Sequence, residues 1–170
     1  MRPAFAVSLL AFLNFINEAS AQPTTGTLKV SGKSYSVRFA VACEETHPKK
    51  ADKTLVNVFF YTQKPTRPVD CSTARELVSK LFADTKEPIF LASVTAPDNY
   101  WDRGFVYANS SNISYTYGLK PKIHFDGEIS GGRVKGRFWV DGTIDLMDEG
   151  QGQIDATVDI PYLPVKRAGR

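Results

Sequence analysis

The residues best suited to chemistry lie in the stretch APDNYWDRGFVY. Tyr100 and Trp101 are flanked there by Asp98 and Asp102, and Tyr107 follows shortly after. Aromatic rings beside carboxylates suit carbohydrates, since a ring stacks on the apolar face of a pyranose, and aromatic residues are also enriched at protein interfaces. We therefore predict a loop that binds a ligand through these five residues. In the alternative, the Trp101 ring folds back to plug the end of the β-structure, with its N–H bonded to a carbonyl.

Acid–base catalysis has few candidates in this chain. The two histidines are His47 and His124, and the surrounding patterns predict a loop for the first and a sheet face for the second. The sequence contains no nucleophile elbow, zinc-protease helix, phosphate-binding loop or dinucleotide fingerprint. We predict no catalytic residue and no cofactor. Because catalytic groups can also be assembled from distant positions, an enzyme without a recognisable motif is kept as the second alternative.

Acidic side chains near the C-terminus raise the question of a hard cation such as calcium, which takes several oxygen ligands. The acidic residues are Asp141, Asp145, Asp148, Glu149, Asp155 and Asp159. Their spacing matches no calcium-binding loop, and alternation along strands already accounts for acids on a solvated face. We predict no metal site.

The two cysteines, Cys43 and Cys71, are predicted to form a disulfide. Closing a loop of that size removes about 3.5 kcal/mol of unfolded-chain entropy in the simplest treatment. The alternative places both thiols with His47 around a metal ion. Three ligands with irregular spacing make a poor structural zinc site, which favours the disulfide.

The N-terminus carries the features of a secretory signal peptide. Arg2 precedes an apolar run over residues 4–16, and Ala19-Ser20-Ala21 supplies the small residues of a cleavage site before Gln22. The apolar run falls short of the roughly 20 residues that span a bilayer. We predict a signal peptide over residues 1–21 and a secreted or periplasmic protein without a transmembrane segment in the mature chain.

The mature chain is predicted to be a single β-rich domain over residues 22–164, followed by a basic, flexible tail over residues 165–170. Two consecutive N-glycosylation acceptors, Asn109 and Asn112, matter only if the source is a eukaryote. The net charge of +3 is slight. The basic run RVKGR fits a sheet face, and no nucleic-acid partner is predicted.

The stretch HFDGEISGGRVKGRFW predicts a β-hairpin with Gly131 and Gly132 at the turn. In that register apolar residues face one another on one side and opposite charges face one another on the other. The pairs are Ile129 with Val134, Phe125 with Phe138, Ile123 with Val140, Glu128 with Lys135, Asp126 with Arg137 and Lys122 with Asp141. Gly127 faces Gly136 on the apolar side, which leaves either a gap for a ligand or a place for a packed aromatic ring. On the outer side His124 faces Trp139.

Other segments add strands and one helix. A second hairpin is predicted with Gly32-Lys33 at its turn, pairing Val30 with Tyr35 and Leu28 with Val37. Further strands are predicted over residues 54–62 and in PIFLASV, and a last hairpin is predicted about Gly150-Gln151-Gly152, with Leu146 opposite Ala156 or Ile154. An amphipathic helix is predicted over residues 73–84, from the stripe formed by Ala74, Leu77, Val78, Leu81 and Phe82.

These elements predict a mainly β protein of the α+β class, an antiparallel sandwich or open barrel of about eight strands with the helix packed on it. The predicted function is an exported, non-enzymatic binding domain that recognises a carbohydrate or another exported protein through the aromatic loop. The first alternative is a barrel-type carrier of a small apolar ligand, with the gap at Gly127 and Gly136 in its wall.

Overall fold

The computed structural model describes residues 18–46, 52–66, 69–71, 87–107, 113–116, 123–145 and 150–164. The strands in these ranges are β1 (Glu18–Ala19), β2 (Gln22–Val30), β3 (Lys33–Thr46), β4 (Thr54–Tyr61), β5 (Val69–Asp70), β6 (Ile89–Ala96), β7 (Tyr100–Tyr107), β8 (Ile113–Thr116), β9 (Ile123–Ser130), β10 (Arg133–Val140), β11 (Ile144–Asp145) and β12 (Gln151–Leu163). The predicted helix over residues 73–84, His47, Asn109, Asn112 and the tail over residues 165–170 lie outside the described residues.

Ten of the described strands form one sheet, in the order β8-β7-β6-β4-β3-β2-β12-β10-β9, with β11 paired to β12. Neighbouring strands are antiparallel, apart from a short parallel contact between the end of β12 and β3. The sheet curves until β7 approaches β9, where the Ile129 N–H donates to Asn99 Oδ1 at 3.1 Å. The predicted mainly β fold is confirmed, and of its two forms the protein adopts a nearly closed barrel.

The β9–β10 hairpin has the predicted register. Gly131 and Gly132 occupy the turn with φ angles of 54° and 75°, and the ladder pairs Phe125 with Phe138 and Glu128 with Lys135. A primed two-residue turn requires positive φ at both central positions, which glycine adopts without strain. Apolar side chains of this hairpin therefore face the barrel interior, and its charged side chains face solvent.

The first hairpin differs from the prediction in its turn. Ser31 and Gly32 form the turn with φ angles of 50° and 79°, and Leu28 pairs with Tyr35 rather than with Val37. The predicted turn at Gly32-Lys33 was wrong, because Ser31 and not Lys33 is the other turn residue and adopts the left-handed conformation. The ladder is shifted by an even number of residues, so each side chain keeps the face that was predicted for it.

Strand β4, predicted over residues 54–62, is buried on both faces between β3 and β6. One face contributes to the barrel interior through Val56, Val58 and Phe60. The opposite face belongs to a second group of buried residues, here called the outer cluster: Val41, Cys43, Phe59, Tyr61, Val69, Cys71, Ile89 and Leu91.

The predicted disulfide between Cys43 and Cys71 is confirmed, with an S–S distance of 2.01 Å, and it lies in the outer cluster. It fastens the residue that follows β5 to the middle of β3. Upstream of Cys43, β3 reverses the face it presents, because Val37 packs in the interior whereas Val41 packs in the outer cluster. The reversal accompanies a register irregularity between Pro23 and Gly26 of β2.

Both ends of the described chain make contacts that were not predicted. Strand β1 pairs with β5, and Ala21 packs against the outer cluster, so the described end of the predicted signal peptide contacts the domain. Strand β12 pairs with β10 on one side and β2 on the other. Within the predicted last hairpin, Ile144 pairs with Gly152 and Asp145 with Gln151. Leu146, on which both predicted registers depend, lies outside the described residues. The described residues include no helix with the length and hydropathy of a membrane span.

Candidate functional site

Trp101 lies inside the barrel and not in a loop. The turn after β6 is limited to residues 97–99, and β7 begins at Tyr100. The Trp101 side chain is 3% exposed, and its ring meets Phe90 and Phe138 edge-on, with centroid distances of 5.8 Å and 5.4 Å. The structure therefore matches the alternative in which this ring plugs the interior, and Trp101 presents no ring face to a ligand at the surface.

The polar residues beside Trp101 fix the turn between β6 and β7. Asp98 pairs with Lys53, and this hydrogen bond raises the pKa of the lysine. Asn99 adopts a φ of 51° and directs its Oδ1 to the Ile129 N–H across the seam between β7 and β9. These two contacts fix the turn to the start of β4 and to the edge of β9.

Of the other residues of the predicted aromatic site, Tyr100 is the one that the structure shows at the surface. Tyr100 is 40% exposed at the start of β7. Asp102 and Tyr107 lie in the same strand, and their side chains are outside the described part of the structure. The proposed ligand-binding role of Tyr100, Asp98, Asp102 and Tyr107 stays a prediction.

The predicted gap between Gly127 and Gly136 is filled by the ring of Phe125. A Cβ placed on Gly127 would come within 2.9 Å of this ring and within 2.2 Å of the Lys135 carbonyl oxygen. A Cβ on Gly136 would come within 2.8 Å of the same ring. Phe125 stacks in turn on Phe138 at a centroid distance of 4.5 Å. The packed-aromatic alternative is therefore correct at this position, and the carrier hypothesis loses the feature that suggested it.

A different group of side chains stands out on the solvent face of the β9–β10 hairpin. The ring of His124 is stacked on Trp139, with centroids 4.9 Å apart and an interplanar angle of 14°. The Arg137 guanidinium carbon lies 5.0 Å from the centroid of the same indole. His124 belongs to β9, whereas Arg137 lies on β10 with Trp139 and donates to Asp155 of β12.

Carboxylates hold both partners of the indole in place. His124 Nε2 lies 2.7 Å from Asp141 Oδ2. Arg137 donates to both oxygens of Asp155, through Nε at 2.8 Å and a terminal nitrogen at 2.7 Å. This bidentate hydrogen bonding lowers the pKa of the Asp155 carboxyl. We name this group the Trp139 surface; its members are His124, Trp139, Arg137, Asp141 and Asp155.

The Trp139 surface continues into a second ion pair and a shallow groove. Arg133 donates to Asp159 Oδ1 through Nε at 3.1 Å and a terminal nitrogen at 2.7 Å, which lowers the pKa of that carboxyl. The groove has a volume of about 430 Å³. Its lining includes Thr25, Lys135, Arg137, Thr157 and Asp159.

The acidic residues considered for a cation are used differently where the structure describes them. Asp141 pairs with His124, while Asp155 and Asp159 pair with arginines. Asp148 and Glu149 lie outside the described residues, as does the side chain of Asp145. Within the described ranges, no three or more His, Cys, Asp or Glu side chains are grouped as metal ligands.

Sequence reasoning paired His124 with Trp139 correctly but missed the part played by Arg137. The spacing of Arg137 and Trp139, two residues apart on one strand face, was a signal for their contact. The ion pair with Asp155 had no local signal, because it depends on β12 lying next to β10. No protein-family model matches the chain, and no curated protein or solved structure matches it.

Proposed function

We propose that this protein is an exported, non-enzymatic binding domain that recognises another exported protein through the Trp139 surface. One observation carries the proposal: a tryptophan on the solvent face contacts both an imidazole and a guanidinium, and each of these is fixed by a carboxylate. The disulfide between Cys43 and Cys71 is compatible with export.

The chemistry of the Trp139 surface suits a protein partner. Tryptophan and arginine are the residue types that most often dominate the binding energy of protein interfaces. Side chains already fixed by hydrogen bonds lose little conformational freedom on binding, so less of the interaction energy is spent on ordering them. Surface ion pairs of this kind contribute little to folding stability, so stability alone does not explain why these side chains are arranged in this way.

A carbohydrate partner has weaker support at this position. Stacking on a pyranose requires a free indole face, whereas the His124 ring stacks on Trp139 and the Arg137 guanidinium lies over the same indole. Catalysis also has weaker support, because His124 and Asp141 form their pair on an open sheet face. Asp141 is 64% exposed, so water reaches the pair freely.

The test begins with the protein captured by the purified domain from the exported fraction of its own host. The captured protein is then produced separately, and its Kd is measured by calorimetry against the wild type and single variants. Trp139→Ala and Arg137→Ala are expected to weaken binding about 30-fold each, the effect of losing a hot spot of about 2 kcal/mol. Tyr100→Ala is the matched control, since it removes an exposed aromatic side chain from the originally predicted site.

Three outcomes would contradict the proposal. If only Tyr100→Ala raises the Kd, the aromatic turn would be the binding site instead. A Kd unaffected by any of the three substitutions would place the interface elsewhere on the domain. Selective retention on a glycan array that Trp139→Ala abolishes would replace the protein partner by a carbohydrate.

A further inference from the structure

The start of β2 is the position where the predicted signal-peptide cleavage would create a new N-terminus. Cleavage before Gln22 leaves this glutamine as the first residue of the mature chain. In the structure its side-chain Nε2 donates to the Ser20 carbonyl oxygen at 3.3 Å. Ser20 belongs to the segment that cleavage removes, so the Gln22 carboxamide loses this partner at the moment its α-amine is released.

The surroundings of this new terminus disfavour a charge. Gln22 pairs with Ala40 of β3, and the preceding residue, Ala21, packs against the outer cluster. Leu163, from the end of β12, packs against the same cluster. An ammonium group held at the edge of apolar packing gives up part of its hydration, and that loss favours an uncharged form of the terminus.

We propose that Gln22 is a modification site and that the mature N-terminus is pyroglutamate. The α-amine nitrogen attacks the side-chain δ-carbonyl carbon, and a new C–N bond closes a five-membered lactam. The bond from the δ-carbon to the amide nitrogen breaks, and that nitrogen leaves as ammonia with one proton from the attacking amine. The reaction needs no oxidant, reductant or co-substrate.

The product fits its place in the sheet better than the uncyclised terminus. The lactam carries no charge, and it retains the carbonyl group through which residue 22 can take part in the ladder with β3. It also has no free amine for an aminopeptidase to recognise. Because residue 22 is held in β2, an enzyme that removes pyroglutamate should act on the unfolded chain and not on the folded domain.

The inference rests on the export proposed above, and mass spectrometry of the exported protein tests it. The complete chain is expressed in a host that exports it, and the recovered protein is weighed intact. The expected mass is that of residues 22–170 with the disulfide formed, less one molecule of ammonia. Chemical N-terminal sequencing should fail until the protein is unfolded and treated with pyroglutamate aminopeptidase.

Gln22→Asn is the matched control, because it keeps a carboxamide while its cyclisation would require a four-membered ring. This variant should show no loss of ammonia at the terminus and should be sequenced directly. A wild-type mass without the loss after prolonged incubation at neutral pH overturns the inference. A different first residue also overturns it, and neither result bears on the Kd of the Trp139 variants, which tests the proposed function separately.

Discussion

Replacing Trp101 tests the central difference between the site predicted from the sequence and the structure. The chain contains two tryptophans, Trp101 and Trp139, so each substitution leaves the other as the sole indole reporter. Trp101 is buried between Phe90 and Phe138, whereas Trp139 lies on the solvent face of the hairpin. The two variants should therefore affect stability very differently.

The expected loss for Trp101→Ala follows from its burial. Truncating a core tryptophan to alanine costs about 3–5 kcal/mol, since the transfer energy of the ring is lost and a cavity is left. We expect about 4 kcal/mol, because the edge-on contacts with two phenylalanines are lost together with the buried area. With a urea m-value of about 2 kcal/mol per molar, the unfolding midpoint falls by about 2 M. Trp139→Ala loses a partly exposed stack and should cost about 1 kcal/mol or less.

The assay is equilibrium urea unfolding, followed by far-UV circular dichroism and tryptophan fluorescence. Trp139→Phe leaves Trp101 as the reporter, and its native emission should be blue-shifted and resistant to iodide quenching. Trp101→Phe keeps most of the ring volume and leaves Trp139, whose native emission should be red-shifted and readily quenched. Trp101→Phe should also retain more stability than Trp101→Ala, because it leaves a smaller cavity.

Two results would refute this reasoning. The first is a Trp101→Ala protein that unfolds at the wild-type midpoint. The second is a Trp139→Phe protein whose remaining tryptophan is quenched by iodide in the native state as strongly as after unfolding. Either result would indicate that Trp101 lies at the surface, and the aromatic turn would then be the favoured binding site.

Three further predictions concern the contacts that fix the barrel. Cys43→Ala combined with Cys71→Ala should lower the free energy of unfolding by about 3.5 kcal/mol, as measured by urea titration, since a sequence separation of 28 residues is no longer closed. Asn99→Gly keeps the positive φ but removes the acceptor for the Ile129 N–H, so it should cost about 1 kcal/mol and speed hydrogen exchange at that amide, whereas unchanged exchange would disprove the contact. Arg137 lowers the folded-state pKa of Asp155. The pair therefore stabilises the fold at pH values above the carboxyl's unfolded pKa of about 3.9, and this stabilisation is lost as the pH falls through the lower folded-state pKa. Arg137→Gln should make the free energy of unfolding depend less on pH in that acid range.

The β9–β10 hairpin could be predicted in detail because two separate patterns in the sequence indicate the same register. Apolar pairs and opposite charges agree on one alignment, and two glycines supply the only turn that the alignment allows. The first hairpin lacked this redundancy. Serine and lysine were both available beside Gly32, and two alignments that differ by an even shift keep the same faces. The faces were therefore predictable, whereas the exact partners were not.

The position of Trp101 in a strand could not be predicted because local signals oppose the tertiary ones. Pro97, Asp98 and Asn99 favour a turn, and Asp102 with Gly104 extends that signal along the chain. In the structure the segment from Tyr100 onward pairs with β6, which is buried along most of its length. Pairing with a buried neighbour overrides weak strand propensity, and the identity of that neighbour is not encoded locally.

The two tryptophans have different roles in the structure, and the difference favours the Trp139 surface as the proposed binding site. The barrel interior uses Trp101 as a packing element, and its neighbour Asn99 bonds across the seam to β9, so substitution there changes the scaffold first. Trp139 has no comparable role, since the interior face of β10 is already supplied by Val134, Phe138 and Val140. A large aromatic side chain on the solvent face, in contact with His124 and Arg137, gains little for folding. Its arrangement therefore supports the proposal that Trp139 contacts a binding partner.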